Sequence, residues 1–177
     1  LFRSAGLRVL TFARAELPPL PDHPLDTETV QPVALIVIRD EIRDNIQETL
    51  HSFISQNVRP KVISGDNLQT VKAIAKLAGM NVQIAYTGTE LDAMDEIHFA
   101  QAVQEADVFA RVEPDTKRRI VDSLREQGEY VAMVGDGMND VPALKGADVA
   151  IVMNDGAQIS KDVADVVLLD NNMSTLP

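Results

Sequence analysis

The stretch that decides the fold is residues 130–145, which read YVAMVGDGMNDVPALK. Its first five residues are mostly apolar and predict a strand over residues 130–134. The glycines of the Gly-Asp-Gly turn that follows permit a tight turn and a close backbone approach. Asp136 and Asp140 lie four residues apart after this strand, where two carboxylates can hold Mg²⁺ together with water and phosphate oxygens. For the Gly-Asp-Gly motif alone, a turn with solvated acids is the alternative.

Strands and helices alternate on both sides of this motif. Short apolar runs predict strands, and apolar residues at helical spacing, with Gly and Pro at the ends, predict helices. This alternation predicts an α/β fold, a Rossmann-like parallel sheet with helices on both faces and a ligand site at the carboxyl ends of the strands. The predicted strands are 7–12, 33–38, 61–63, 82–85, 108–111, 130–134, 149–153 and 166–169, and the predicted helices are 44–57, 68–78, 96–105 and 114–127.

The N-terminal part of the chain has a different character. Five prolines fall within residues 18–32, which excludes regular helix or central strand there, and we interpret this stretch as a loop or linker. The continuous apolar run 33–38 that follows is typical of a strand buried on both faces. We therefore expect two units, residues 1–39 as a remnant of a preceding domain with its linker, and residues 40–177 as the main domain.

The amino-acid composition argues against several classes of binding partner and metal site. The net charge of −11 argues against nucleic acid and anionic membrane surfaces, which require a basic face. The chain has no cysteine, and its three histidines, His23, His51 and His98, show no zinc-site spacing. The apolar runs are too short to span a bilayer. Because the chain does not begin with Met, we expect it to be part of a longer protein.

Residues 135–144, GDGMNDVPAL, resemble the GDGxNDxPAL signature of P-type cation-transporting ATPases. Ser64-Gly65-Asp66 resembles the TGD loop of that family, with Ser in place of Thr. Other segments match in order: residues 40–43 (DEIR) a DPPR-like hinge, residues 109–117 (FARVEPDTK) the segment with the phosphate-binding lysine, and residues 147–153 (ADVAIVM) the ADVGIAM strand. The chain is therefore similar to the phosphorylation domain of this family, within the haloacid dehalogenase superfamily and close to a bacterial, calcium-type branch.

The resemblance implies a phosphoryl-transfer site in which an aspartate attacks the γ-phosphate of ATP. Ser64 and Gly65 would bind a phosphate oxygen, and Lys117 would place a positive charge on the phosphate. The implied assignments are Ser64, Gly65, Lys117, Asn139 and Asp140 in catalysis, Asp66 and Arg43 at the nucleotide, and Asp136 and Asp140 at Mg²⁺. The implied partners are ATP and a transported cation, in a membrane-embedded parent protein of the bacterial plasma membrane whose phosphorylation domain is cytoplasmic. Residues 1–39 would be the end of its nucleotide-binding domain.

One part of the family pattern is absent. The phosphorylated aspartate of these pumps lies in a DKTGT motif, and no Asp-Lys-Thr-Gly string occurs in the 177 residues. We therefore expect a catalytically inactive fragment whose nucleophile lies upstream. The strand with that motif is central in the superfamily's sheet, so its neighbours would be left unpaired. We expect either residues 33–38 to pair in its place or two copies of the chain to cover the gap.

Two alternatives stay open. A soluble haloacid dehalogenase-type phosphatase shares the Ser, Lys and Gly-Asp loops, but it would have its own nucleophilic aspartate near its N-terminus. A regulatory module without catalysis would retain the fold alone. A DKTGT motif upstream, with apolar stretches of ~20 residues on both sides of the domain, distinguishes the pump from both.

Overall fold

The computed structural model describes residues 7–15, 30–39, 42 and 45–176. The strands are β1 (Leu7–Ala15), β2 (Val30–Arg39), β3 (Val62–Ile63), β4 (Ala85–Thr87), β5 (Val108–Ala110), β6 (Ala132–Gly135), β7 (Val149–Met153) and β8 (Val166–Leu168). The helices are α1 (Ile46–Ser55), α2 (Leu68–Leu77), α3 (Gly88–Asp92), α4 (Glu96–Glu105), α5 (Pro114–Glu126), α6 (Val141–Gly146) and α7 (Gln158–Lys161), and 3₁₀ turns occupy Met138–Asp140 and Met173–Thr175. None of the helices described is long and apolar enough to cross a membrane.

Polar side chains define where several helices begin. The Asn67 side chain accepts a hydrogen bond from the Thr70 backbone N–H at the start of α2. The Asp95 carboxylate does the same for His98 at the start of α4. Each of these contacts pairs a backbone donor that the helix itself leaves free. The first position of α5 is Pro114, which has no N–H to leave unpaired.

The predicted α/β class with an incomplete parallel sheet is confirmed. The strands after β2 form two parallel three-stranded sheets, ordered β3-β5-β4 and β6-β7-β8. The central strand β5 is buried at all three positions. Within residues 7–15, 30–39 and 45–176, no further strand pairs with the outer edge of β3 or of β6. The sheet is therefore divided into two three-stranded halves, and β3 and β6 each have an edge that is unpaired within the described residues.

Helix α5 packs on both halves. Its Ile120 lies in one apolar cluster with Phe109 of β5, and its Val121 lies in another with Met133 of β6. Because consecutive residues of a helix point about 100° apart, one amphipathic helix can cover two adjacent surfaces. The core that joins the two sheets is therefore built around α5.

The strand predicted at residues 33–38 forms as part of β2, but its predicted surroundings are wrong. β2 pairs antiparallel with β1, so that Leu10 lies opposite Ile36, and it does not pair with β3 or β6. Neighbouring residues of β2 point to opposite faces, and Leu35 and Ile36 are 61% and 50% exposed. A two-stranded ribbon therefore leaves both apolar faces open, and the expectation that this segment fills the gap in the sheet is wrong. Apolar composition alone does not specify which strand is the partner.

The structure also differs from the sequence-based prediction in where some strands and helices begin and end. The strand predicted at 82–85 begins only at Ala85, because the backbone N–H groups of Gln83 and Ile84 donate to the Asp107 carboxylate instead of a neighbouring strand. The short helices α3, α6 and α7 were not predicted, since four to six residues carry little periodicity. Residues 18–29 of the predicted linker and the proposed domain boundary at residue 40 lie outside the described residues. The last three residues of the predicted linker, 30–32, belong to β2, so the strand begins earlier than predicted.

Candidate functional site

Asp140 is the centre of the loop that follows β6. Its carboxylate Oδ1 lies 2.6 Å from Lys117 Nζ, and both side chains are largely buried. Its Oδ2 accepts hydrogen bonds from the backbone N–H groups of Asp136, at 3.3 Å, and Gly137, at 3.1 Å. Both oxygens of the carboxylate are thus engaged, one with a cation and the other with the turn.

The environment of Asp140 favours its ionised form. Burial by itself raises the pKa of a carboxyl group. At Asp140 this effect is outweighed by the hydrogen bond and charge of Lys117 and by the backbone N–H groups of Gly137 and Asp136, so that the pKa lies below its ordinary value of 3.8. Asp140 is therefore a carboxylate whose negative charge is held in place by the fold.

The Gly-Asp-Gly turn is fixed from three further directions. A Cβ on Gly135 would lie 2.7 Å from the Cβ of Asp140, so only glycine lets the carboxylate approach the strand end. The backbone N–H of Ala157 donates to the Asp136 carbonyl at 2.7 Å. The hydroxyl of Ser160, which is fully buried, donates to the Gly137 carbonyl at 2.9 Å. The turn thus has a defined backbone, while the Asp136 side chain is exposed to solvent.

The second loop of the site follows β3. The hydroxyl oxygen of Ser64 accepts a hydrogen bond from the Asp66 N–H at 3.1 Å. The carbonyls of Ser64 and Asp66 accept from the N–H groups of Val112, at 3.1 Å, and Arg111, at 2.9 Å. This loop is therefore attached to the segment between β5 and α5. Gly65 is exposed, and no atom lies within 4 Å of the position of a Cβ there.

The two loops meet at the start of α5. Arg111 and Val112, which hold the Ser64 loop, lie three and two residues before the start of this helix at Pro114. Lys117, which binds Asp140 in the other loop, is the fourth residue of the helix. The N-terminus of a helix carries free N–H groups and a partial positive charge, both of which favour anions. The arrangement combines a lysine, a helix N-terminus and a hydroxyl, and such a combination can bind a phosphate group.

The structure places most of the predicted site residues on this framework. Ser64, Gly65 and Asp66 follow β3, and the residues that follow β6 are Asp136, Asn139 and Asp140, the last in contact with Lys117. Asn139 is exposed. Arg43, predicted at the nucleotide, lies outside the described residues, as do Asp40 and Glu41 of the hinge.

The predicted Mg²⁺ ligands fit the ion only in part. Asp140 already uses both carboxylate oxygens within the protein. Asp136 presents a solvent-exposed carboxylate, which is a suitable oxygen ligand for Mg²⁺. No group of three or more His, Cys, Asp or Glu side chains able to hold a metal occurs in the described part of the chain. One carboxylate is thus available here, and phosphate oxygens, water or another segment would have to complete the coordination.

Some contributors to the site were not predicted. Arg111 has a left-handed backbone, with φ of 51°, in the segment that holds the Ser64 loop. Arg118 of α5 donates to the Pro142 carbonyl at 3.1 Å and so ties α5 to α6. Ser160 supports the Gly-Asp-Gly turn from α7. A serine or an arginine outside a motif has no distinctive spacing, and only the basic run at 117–119 indicated that α5 carries several cations.

Comparisons with known proteins identify sequences similar to this chain. Residues 2–148 match the family model described as haloacid dehalogenase-like hydrolase. The chain is 42% identical over 177 residues to the calcium-transporting ATPase CtpE of Mycobacterium bovis, with 97% of this chain and 21% of that protein covered. It is 36% identical over 176 residues to the human calcium-transporting ATPase type 2C member 1, with 98% of this chain and 18% of that protein covered.

Two further comparisons cover a bacterial pump and a solved structure. The chain is 35% identical over 179 residues to the cation-transporting ATPase pma1 of Synechocystis, covering 97% of this chain and 20% of that protein. A structure of the catalytic domain of the CPx-ATPase CopB-B matches with a TM-score of 0.60 and 26% identity, covering 84% of this chain and 47% of that one. The chain thus spans about a fifth of the length of these curated relatives.

Proposed function

We propose, from the premise that this chain belongs to the haloacid dehalogenase-like hydrolase family, that it is the phosphate-binding part of the phosphorylation domain of a P-type cation-transporting ATPase. Its homologues over nearly its whole length are ATPases of that kind. In the parent protein, ATP hydrolysis through an aspartyl-phosphate would drive the movement of a cation across a membrane. The observation that carries the proposal is the contact between Lys117 and Asp140 at the junction of both loops.

Lys117 supplies the positive charge of the site. A buried ammonium group is costly without a partner, and Asp140 provides that partner at 2.6 Å. Two of the ammonium protons are left for other acceptors, such as the oxygens of a phosphoryl group, because a lysine has three donors. The fixed cation would offset the negative charge of the transferring group without a change in structure during the reaction.

Asp136 and Asp140 would have different roles. Asp140 anchors both Lys117 and the turn, and we propose that it shapes the metal site without binding the ion directly. Asp136 would be the direct ligand of Mg²⁺ from this chain. The ion, when bound, neutralises charge on the phosphate oxygens. Asn139, exposed on the same turn, would support the ion or the phosphate.

The Ser64 loop would receive the phosphate from the opposite side. The Ser64 oxygen accepts a bond from the Asp66 amide, which leaves its own proton free to be donated to a phosphate oxygen. The exposed Gly65 backbone presents no side chain that blocks such an approach. Asp66 and Arg43 would contact the nucleotide of the bound ATP.

The acceptor of the phosphoryl group is proposed to lie in a segment outside this chain. No Asp-Lys-Thr-Gly string is present, and the outer edges of β3 and β6 are unpaired within the described residues. A strand placed between these edges would have its carboxyl end beside both loops. Residues 1–39 are proposed to be the end of the nucleotide-binding domain and residues 40–177 the phosphorylation domain.

A Mg²⁺ titration followed by NMR tests the site, and an ATPase assay tests the missing nucleophile. We expect weak Mg²⁺ binding that is lost in Asp136→Asn and retained in Glu126→Gln, a matched change at an exposed residue of α5. We expect no ATP hydrolysis by the chain alone. ATP turnover that depends on Asp136 would contradict the proposal that the nucleophile lies elsewhere.

The two rival functions have their own readouts. Hydrolysis of a small phosphate ester by the isolated chain would support a soluble phosphatase. If the folded wild-type chain binds neither Mg²⁺ nor phosphate, this would support a module without catalysis. The geometry around Lys117 favours a catalytic domain over the module, because a module without catalysis has no need of a buried lysine and carboxylate pair. The similarity of nearly the whole chain to cation-transporting ATPases favours the pump over the phosphatase.

The transported ion and the membrane are part of the proposal. We propose a bacterial plasma-membrane pump with this domain in the cytoplasm, and Ca²⁺ as the first ion to test, because two relatives above are named calcium-transporting. The test is formation of the phosphoenzyme by the full-length protein in Ca²⁺, Mg²⁺, Mn²⁺, Na⁺ and K⁺. Dependence on an ion other than Ca²⁺ would contradict this choice of ion but not the pump.

Self-association of this chain is a further part of the proposal. The unpaired edges of β3 and β6 are supporting observations, since free strand edges readily pair with another chain. Light scattering over a concentration series is the measurement. A monomer at all concentrations would be incompatible with self-association.

A further inference from the structure

The backbone of Gly88 lies against that of Arg111 with no room for a side chain. A Cβ on Gly88 would lie 2.4 Å from the Arg111 carbonyl oxygen, 3.2 Å from its carbonyl carbon and 3.3 Å from the Val112 Cα. Real Cβ contacts essentially never fall below 3.0 Å. Gly88 is buried, and the atoms it meets belong to backbone, which cannot rotate away as a flexible side chain can.

Gly88 itself is held firmly in place. It directly follows β4, whose last residue Thr87 pairs with Ala110 of β5. Thr87 and Glu90 form a capping box, in which the Glu90 carboxylate accepts from the Thr87 N–H at 2.7 Å and the Thr87 hydroxyl accepts from the Glu90 N–H at 3.4 Å. This pair of contacts fixes the first turn of α3. A side chain at position 88 would therefore displace Arg111 more easily than α3.

Arg111 has a backbone that is costly for any residue but glycine, asparagine or aspartate. Its φ of 51° lies in the left-handed region. Such a conformation persists only where its surroundings hold it. Here it turns the N–H groups of Arg111 and Val112 toward the carbonyls of Asp66 and Ser64.

We infer that Gly88 is a positioning residue for the Ser64 loop, acting through the backbone of Arg111 and Val112. The missing side chain of Gly88 lets the Arg111 carbonyl approach, and that approach keeps Arg111 in its left-handed conformation. The N–H groups of Arg111 and Val112 then hold the Ser64 loop against the start of α5. The inference rests on the proposed function in one respect, namely that the Ser64 loop binds phosphate.

The test compares Gly88→Ala with Leu91→Ala in this chain. Leu91 is a fully buried residue of the same helix and packs in the apolar cluster beneath it. Its truncation lowers stability without placing an atom against Arg111. The first readout is hydrogen exchange of the Arg111 and Val112 amides by NMR. The second is the affinity for inorganic phosphate in the presence of Mg²⁺, followed at the Gly65 amide.

In Gly88→Ala the Arg111 carbonyl must retreat by about 0.6 Å. We expect exchange of the two amides to become roughly tenfold faster and phosphate binding roughly tenfold weaker, because displacements of this size are costly at sites that need fixed geometry. Leu91→Ala, measured the same number of degrees below its own Tm, should change neither the exchange of these amides nor the affinity for phosphate. Unchanged exchange at Arg111 and Val112 in Gly88→Ala, or an equal change in Leu91→Ala, would overturn the inference.

The test has two other outcomes, an unfolded Gly88→Ala variant and a wild-type chain that does not bind phosphate. If Gly88→Ala does not fold, the double variant Gly88→Ala with Arg111→Gly replaces it, since glycine can move its carbonyl without the left-handed cost, and the same fast exchange is expected. If the wild-type chain does not bind phosphate at all, the proposed function fails, while the exchange readout still decides the role of Gly88.

Discussion

Lys117 Nζ lies 2.6 Å from Asp140 Oδ1, and each side chain is only 12% exposed. The contact joins α5 to the turn after β6, so one ion pair links two of the elements that form the candidate site. Removal of the lysine would leave a buried carboxylate without its cation, which is more costly than loss of an exposed pair.

Lys117→Met should therefore destabilise the chain by about 2–3 kcal/mol. Lys145→Met, a change of the same kind at an exposed lysine of α6, should alter stability by less than about 0.5 kcal/mol. Urea unfolding at neutral pH measures both free energies. Equal effects of the two changes would show that the contact between Lys117 and Asp140 has no special energetic weight.

The carboxylate of Asp140 also predicts how the stability of the fold depends on pH. Because the pKa of Asp140 in the fold is below 3.8, its ionised form stabilises the fold above the unfolded-state pKa. This contribution is lost as the pH falls through the folded-state pKa. Asp140→Asn should thus be less stable than the wild type at neutral pH, and the difference should shrink below about pH 4.

The control for acid unfolding is Asp122→Asn, which changes a partly exposed carboxylate paired with Arg118. Its difference from the wild type should be small at neutral pH, as expected for an exposed pair. Urea unfolding at several pH values from neutral to strongly acidic gives the comparison. If the difference in unfolding free energy between the wild type and Asp140→Asn stays constant through the acid range, the lowered pKa of Asp140 is contradicted.

How far the sequence alone defines this site can be judged from individual residues. The alternation of apolar strands and amphipathic helices indicated the α/β class, and the motifs placed Ser64, Asp136 and Lys117 next to strand or helix ends. Spacing indicated that Asp136 and Asp140 lie close together, but not which oxygens are already occupied. That distinction depends on Lys117, which is 23 residues away.

Other features are decided by contacts that no local pattern reports. A left-handed arginine such as Arg111 has no signature in the sequence, because the conformation results from its neighbours. The apolar run in β2 predicted a strand correctly, but a strand buried on both faces and an exposed ribbon strand can have the same composition. The partner of β2 is β1, and pairing between distant strands depends on the whole fold.

Loss of the buried hydroxyl of Ser160 should lower the stability of the chain more than loss of an exposed hydroxyl. Ser160→Ala removes the donor to the Gly137 carbonyl, and we expect a loss of about 1 kcal/mol together with weaker Mg²⁺ binding at Asp136. Ser55→Ala is the matched control, because the Ser55 hydroxyl also donates to a carbonyl, at 2.8 Å, but is exposed. Thermal unfolding and the Mg²⁺ titration give the two readouts. Unaltered Mg²⁺ binding in Ser160→Ala would show that the turn holds its shape without this hydrogen bond.

The close approach at Gly135 predicts intolerance of the smallest side chain. Gly135→Ala would place a Cβ 2.7 Å from that of Asp140, so the carboxylate must move away from Lys117 or from the turn. We expect a loss of about 2 kcal/mol, typical of overpacking. Ala132→Ser, at an exposed position of the same strand, should be nearly neutral. Similar unfolding free energies for the two variants would contradict the constraint at Gly135.

The split between the two sheets predicts an uneven pattern of hydrogen exchange. In a parallel strand, successive backbone N–H groups point to opposite sides. In β6 every second amide should therefore face β7 and be protected, while the others face the unpaired edge and exchange quickly. In the central strands β5 and β7 all amides should be protected, because both edges are paired. If another copy of the chain covers the edge of β6, the fast amides will become slow as the concentration rises. Uniform protection along β6 in a dilute, monomeric sample would show that the edge is already paired within one chain.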